Sequence, residues 1–369
     1  MENGELLISD CKATSLAKEF GTPLFVLDEP DLRSRITSWK SSLERHFGSN
    51  AGTVYYAAKS FISVEVAKII AELGIGIDVC TGGELAVAQA ANFPGDRIEL
   101  HGNNKSEDEI QAAISYGVRT IVLDSLQEIE RVARIANGAK KRQRVMIRLT
   151  PGVEAHTHEA IKTAHEDVKF GFSIASGAAW EAALRVRSEA SLELVGVHAH
   201  IGSQIFVADG FDTSAERLIG FLAQYRNEFG SELPELNLGG GYGIAYIESD
   251  NPISAQEMLT RLHSIVEREC SQNSLAIPHV SIEPGRAIVG PTMVTLYEVG
   301  TTKVVKDGAG QVRNYISVDG GMSDNIRPGL YGAEYSILLA NRKSSAGAID
   351  SRVVGKHCET GDIVINDVK

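Results

Sequence analysis

Lys59 stands in YYAAKSF, directly after an apolar run. At such a place a lysine is ordinarily a solvated residue that starts a helix. Inside a barrel mouth, desolvation can instead lower the pKa of the amine, which then attacks carbonyl compounds to form a Schiff base. GGGYG at 239–243 does not fit the G-x-G-x-x-G pattern. It reads either as a flexible turn or as backbone N–H groups crowding an anion. EPGR at 283–286 supplies the Glu283 carboxylate and the Arg286 guanidinium around a turn made by Pro284 and Gly285; the bland alternative is that turn with a chance salt bridge. HAHIGSQ at 198–204 puts His198 and His200 on one side of a strand, and AHTHE at 155–159 repeats the H-x-H spacing of metal ligands. A barrel metal centre needs further histidines or carboxylates at the opposite strands. Those places hold Lys59, glycines and an arginine-flanked glutamate, so no metal is expected.

These residues need elements to hold them. Short apolar runs suited to strands fall at 53–58, 75–79, 97–101, 119–123, 143–149, 194–200, 235–239 and 279–283. Most are nearly continuous, as in parallel strands buried on both faces. Helices are predicted between them at 61–73, 106–116 and 125–137, and near 212–229 and 254–271. Ser106 with Glu109, and Ser125 with Glu128, have capping-box spacing, and Gly138 is placed to end the third helix. Eight strand–helix units in this length predict a (β/α)8 TIM barrel, with an open doubly wound sheet as the rival. Barrel enzymes keep their chemistry at the C-terminal strand ends. Here those ends carry Lys59, Asp78, His101 with Asn103, Arg148, His200 with Ser203, Gly239 to Gly241, and Glu283 with Arg286.

After residue 290 the texture changes. The segments 292–306, 311–319 and 351–365 are rich in Val, Ile, Thr and Tyr, and predict a second, all-β domain. Residues 22–27 can add a strand to it. The expected boundaries are 1–30 for an N-terminal contribution to the β-domain, 31–284 for the barrel and 285–369 for the β-domain.

The chain has 369 residues and a net charge of −12, with no basic block. That argues against nucleic acid and against an anionic membrane surface as partners. No apolar run is long enough to span a bilayer, and MENGELLISD lacks the core of a signal peptide. Four dispersed cysteines, Cys11, Cys80, Cys270 and Cys358, fit a reducing compartment, and a cytoplasmic location is expected.

In order along the chain, YYAAKSF, DVCTGGEL, HGNNKS, GVEAHTHEAIKTAHEDVKFGFS, HAHIGSQI, GGGYG, EPGR, RPGLYGA and CETGD resemble the diaminopimelate decarboxylase family. That family belongs to the pyridoxal-phosphate decarboxylases with an alanine-racemase-like barrel. Ornithine and arginine decarboxylases share the lysine, glycine and EPGR motifs; HTHE, GSQ and RPGLYGA look most like the diaminopimelate branch. The resemblance implies a PLP-binding barrel in which Lys59 holds pyridoxal 5'-phosphate as a Schiff base and His200 stacks on its ring. It implies that Ser203, Gly240, Gly241 and Arg286 surround the phosphate and that Glu283 bonds the pyridine nitrogen. Arg286, Arg327, Tyr331 and Glu359 would contact an amino-acid substrate. Cys358 would donate a proton, reaching in from the partner of a head-to-tail homodimer with shared active sites. The implied reaction is decarboxylation of meso-2,6-diaminopimelate to L-lysine, the last step of lysine biosynthesis. A distal Arg327 and Glu359 suit a zwitterionic head group better than the bare cation of ornithine.

Three other readings stand beside this one: a decarboxylase of ornithine or arginine, a racemase, and a catalytically impaired homologue with a regulatory or interaction role. The last draws on length. Members of the family continue for several strands past CETGD, including a tyrosine that contacts cofactor and substrate, so the β-domain is expected to be incomplete at Lys369.

Overall fold

The computed structural model describes residues 4–152, 169–306 and 308–368. The AHTHE pair and most of the motif around it lie outside the described residues. The chain divides into two compact units, one of residues 33–244 and 252–290, the other of 1–32, 245–251 and 291–369. Residues 245–251, placed in the barrel by sequence, therefore belong with the second unit.

In the first unit eight parallel strands close into a barrel. They are β1 (Gly52–Ala57), β2 (Gly76–Val79), β3 (Ile98–Leu100), β4 (Thr120–Leu123), β5 (Gln143–Thr150), β6 (Leu192–His198), β7 (Glu235–Asn237) and β8 (His279–Ile282). Pairing of β6 with β5 and of β8 with β1 completes the ring. Each predicted run overlaps one of these strands, and closure removes the open-sheet rival. Val54, Ile77, Ile98, Ile121, Ile147 and Val197 are all nearly or fully buried, which accounts for the continuous apolar runs. Polar groups are nevertheless buried on these strands, among them Asp78, Glu99, His198 and Asn237. Glu235 opens β7 and takes ion pairs from Arg119, at 2.7 Å, and from Arg144. That cluster is at the N-terminal end of the barrel, where charge serves stability rather than chemistry.

Five of the described helices start at a Ser or Thr cap, and in four of them, all but the one after Ser63, a Glu follows three residues later. Ser63, Thr81, Ser106, Ser125 and Ser254 each accept a backbone N–H from the first turn that follows. The reciprocal half of the capping box forms at Ser106 and Glu109. It does not form at Ser125, because Glu128 is buried and pairs with the Lys105 ammonium. Lys105 also donates to the carbonyls of Gly102 and Val122, at 2.7 and 2.6 Å, and so fixes the loop after β3. Gly138 is the last residue of its helix, and Ala139, in a right-handed conformation, is the cap.

In the second unit, Val299–Lys306 pairs antiparallel with Val312–Val318, which pairs parallel with Ser351–Val354, which pairs antiparallel with Ile363–Val368. The β-rich segment 351–365 thus carries a strand at each end with a loop between them, and 292–306 likewise carries two strands. Met293–Leu296 pairs antiparallel with Leu24–Leu27, the expected N-terminal contribution. Val318, Val353 and Ile365 form the buried cluster of the sheet, with Tyr297 and Tyr335 packed against it. Among the described residues no helix is long and apolar enough to cross a membrane.

Candidate active site

Lys59 lies in a single 3-10 turn, Ala58–Ser60, at the C-terminal end of β1. Its side chain is open to solvent. Desolvation pulls its pKa down, but electrostatic interaction with Asp78, Cys80 and Glu283 outweighs that, and the net shift is upward. This corrects the expected lowering: the barrel mouth is polar enough to stabilise the ammonium.

Glu283 follows β8 and is 3 % exposed. Its Oε1 accepts from Asn237 Nδ2 at 2.8 Å and lies 3.2 Å from both His198 Nε2 and His101 Nε2. Burial works against its charge, yet His198, His101 and Lys59 hold its pKa well below the ordinary carboxylate value. Its neighbours behave in the opposite way. Burial and the charge of Glu283 push Asp78 and Glu99 well above that value. Three carboxyls therefore share one barrel interior, and Glu283 is the one whose ionised form its neighbours favour. The rings of His101 and His198 meet edge to face, with centroids 4.8 Å apart. Burial lowers the pKa of both.

The sequence pairs His198 with His200, but the structure gives them different tasks. His198 faces Glu283, whereas His200 Nδ1 accepts the N–H of Gly240 at 3.2 Å. The ring proton of His200 is therefore on Nε2. Burial, with the nearby Lys59 and Arg148 charges, drives its pKa far down and leaves a neutral flat ring. His101, His198 and Glu283 bring one ligand atom each within 4.8 Å. That makes a cluster different from the H-x-H pair considered in the sequence.

The glycines after β7 are fixed by close approach rather than by flexibility. A Cβ on Gly239 would overlap the carbonyl of Ala199, one on Gly240 that of Glu283, and one on Gly241 that of Gly202. Gly239 and Gly241 also have φ of +70° and +106°, which favour glycine. The expected crowd of free N–H groups is smaller than the motif suggests. Gly239 donates to Asn237 Oδ1 at 2.9 Å and Gly240 to His200. Beside this loop, Arg286 Nη2 donates to Ser203 Oγ at 3.2 Å.

An amine, an ionised carboxylate, a neutral imidazole and a guanidinium–hydroxyl pair thus gather on one unit. This donor set fits a phosphorylated aromatic aldehyde: the amine for its carbonyl, the carboxylate for a ring N–H, the guanidinium for its phosphate.

The remaining residues singled out by sequence lie on the second unit. Arg327 begins the helix Arg327–Tyr331, which ends at the second of these residues, Tyr331. The guanidinium of Arg327 donates to the Tyr335 hydroxyl at 2.7 Å and packs 5.0 Å from the centre of the Tyr246 ring. Cys358 and Glu359 are exposed on the loop between Ser351–Val354 and Ile363–Val368. Asp362 holds that loop. Its buried carboxylate accepts the N–H of Met322 at 2.6 Å and that of His357 at 2.8 Å. Asp362 and Asn237 were both missed as functional candidates. The first was visible only as the last letter of CETGD, and the second as a polar residue inside an apolar strand.

A family model described as "Pyridoxal-dependent decarboxylase, pyridoxal binding domain" matches residues 29–290. The chain is 53% identical over 370 residues to a diaminopimelate decarboxylase of Mycobacterium tuberculosis, with 99% of this chain and 82% of the relative covered. It is 48% identical to one of Corynebacterium efficiens, covering 99% and 79%. Among solved structures, the diaminopimelate decarboxylase of M. jannaschii in complex with L-lysine superposes with a TM-score of 0.90 at 28% identity, covering 100% of this chain and 83% of that one. The Helicobacter pylori enzyme with L-lysine gives 0.85 at 26%, covering 96% and 84%.

Proposed function

This chain belongs to the pyridoxal-dependent decarboxylases, and from that premise we infer that it is a carboxy-lyase that converts meso-2,6-diaminopimelate to L-lysine and CO₂ with pyridoxal 5'-phosphate as cofactor. The observation that carries the reading is Glu283, kept ionised between two imidazoles on the same unit as the solvent-open Lys59. When bound, pyridoxal phosphate supplies an electron sink for the charge left on the substrate carbon as CO₂ departs. The protein has to hold that group, choose the substrate and manage two protons.

Lys59 would hold the cofactor through its amine. Because the polar mouth raises its pKa, the amine must pass its proton on before it can bond to carbon, and it can return that proton later. Glu283 would keep the ring nitrogen protonated, since a fixed opposite charge favours the charged form. His200, neutral and with its proton on Nε2, offers a ring face for stacking without adding a competing cation. Ser203, Gly240, Gly241 and Arg286 would take the phosphate, and the Arg286–Ser203 hydrogen bond orients the guanidinium for it.

For the substrate we assign Arg286, Arg327, Tyr331 and Glu359. A carboxylate and an ammonium at the distal end call for an Arg and a Glu together, which ornithine does not. Tyr246 and Tyr335 hold Arg327 in one orientation and so cut the entropy it loses on pairing. Cys358 is assigned as the acid that protonates the substrate carbon after CO₂ is lost. It is supplied by the partner in a head-to-tail homodimer, and the enzyme works in the cytoplasm, in keeping with four unbridged cysteines. Sedimentation of the PLP-loaded chain tests the dimer; a monomer with full activity contradicts it. CO₂ release from diaminopimelate, ornithine, arginine and lysine tests the substrate, and preferential turnover of ornithine or arginine refutes it.

A further inference from the structure

Asn237 is the last residue of β7 and has no exposed surface. Its side chain makes three hydrogen bonds. Nδ2 donates to Glu283 Oε1 at 2.8 Å and to Glu99 Oε2 at 2.9 Å, and Oδ1 accepts the N–H of Gly239 at 2.9 Å. The backbone repeats the connection, because Glu283 donates its N–H to the Gly239 carbonyl at 2.9 Å. One primary amide thus reaches the functional carboxylate, the Glu99 carboxyl behind it and the first glycine of GGGYG.

We propose that Asn237 is a positioning residue that fixes the Glu283 carboxylate and the GGGYG loop to each other, so that the two ends of the cofactor site keep one spacing. The inference rests on the cofactor reading above. The chemistry of the amide is specific. An aspartate has the same shape and can still accept from Gly239, but it presents a second negative oxygen to Glu283 where the amide gave a hydrogen. A buried carboxylate facing another either protonates or pushes it away. An alanine loses both halves and leaves the Gly239 N–H and a Glu283 lone pair unsatisfied. Neither substitution alters a group assigned to touch the cofactor or substrate.

The test compares the PLP-loaded parent with Asn237→Asp and Asn237→Ala. Three quantities are measured: affinity for pyridoxal phosphate, kcat and KM for diaminopimelate, and the pH at which the visible band of the bound cofactor changes. Positioning partners of a reactive group typically change function by about 10–100-fold. Asn237→Asp is expected to lower kcat by at least about tenfold, to change KM by less than about threefold, and to shift the pH of the spectral change. Asn237→Ala is expected to weaken cofactor binding further, because the glycine loop is also released. A purely structural residue would lower the yield of folded protein but leave kcat per bound cofactor and the spectral pH unchanged, and that result overturns the proposal. If one variant does not fold, the other decides on the same readouts; if neither folds, Asn237→Ser, whose shorter side chain keeps a donor and an acceptor, must lower kcat per bound cofactor and shift the spectral pH relative to the parent, or the proposal fails. If the parent itself neither binds pyridoxal phosphate nor releases CO₂, the cofactor reading fails instead.

Discussion

His198 Nε2 lies 3.2 Å from Glu283 Oε1, with both side chains buried. His101 reaches the same oxygen at the same distance. The two imidazoles and Lys59 together favour an ionised carboxylate where burial alone would neutralise it, and that charge is what a protonated ring nitrogen requires. Glu283→Gln keeps the shape and the Asn237 contact but removes the charge. Pyridoxal phosphate should still bind, and kcat should fall by about a hundredfold, the scale of losing one preorganised electrostatic partner. Steady-state kinetics on cofactor-saturated protein checks this; kcat within about threefold of the parent refutes the role.

Glu99 makes a pH prediction. Burial, and then the Glu283 charge, raise its folded pKa well above the ordinary 4.5. Above 4.5 the unfolded chain has lost this proton while the folded chain still binds it, so the group opposes folding more as pH rises towards the folded pKa. Glu99→Gln removes that penalty. Its melting temperature relative to the parent should therefore become more favourable as pH rises above 4.5. A difference independent of pH would show that Glu99 ionises as readily folded as unfolded.

The buried histidines act in the opposite sense. Burial lowers the folded pKa of His101, His198 and His200 below the ordinary 6.5. Below 6.5 the unfolded chain takes up protons that the folded chain refuses, so their contribution to stability is lost as pH falls. The parent should lose melting temperature on acidification from 6.5, and replacing His200 with Gln should reduce that slope. An unchanged slope contradicts the desolvation of a neutral His200 ring.

Asp362 predicts a structural cost. Asp362→Ala leaves the N–H groups of Met322 and His357 without their acceptor inside the fold. Two unsatisfied donors cost about 2–4 kcal/mol together. The melting temperature should fall and the loop bearing Cys358 and Glu359 should become open to limited proteolysis, while pyridoxal phosphate binding by the barrel persists. Unchanged protease resistance would show that the loop is held by something else.

The barrel was legible because buried parallel strands leave long apolar runs and the Ser/Thr-x-x-Glu spacing marks helix starts. Lys59, Glu283 and Arg286 stood out because polar residues gather at the C-terminal strand ends, where barrel enzymes keep their chemistry. Other features depend on contacts distant in sequence. Glu128 has capping spacing in the sequence, yet Lys105, 23 residues away, takes its carboxylate into the core. Asn237 gains its meaning from Glu99 and Glu283, 138 and 46 residues away. The direction of the Lys59 shift depends on the balance between burial and three neighbouring groups, which spacing does not encode.

Lys59 is proposed to carry the cofactor for decarboxylation of diaminopimelate. That role is tested most directly by measuring CO₂ and L-lysine released from meso-2,6-diaminopimelate by the PLP-loaded parent and by Lys59→Ala. The parent should release equal amounts of CO₂ and L-lysine, and the variant neither product, with no visible band of lysine-bound cofactor. Turnover by Lys59→Ala at a rate comparable to the parent would contradict it.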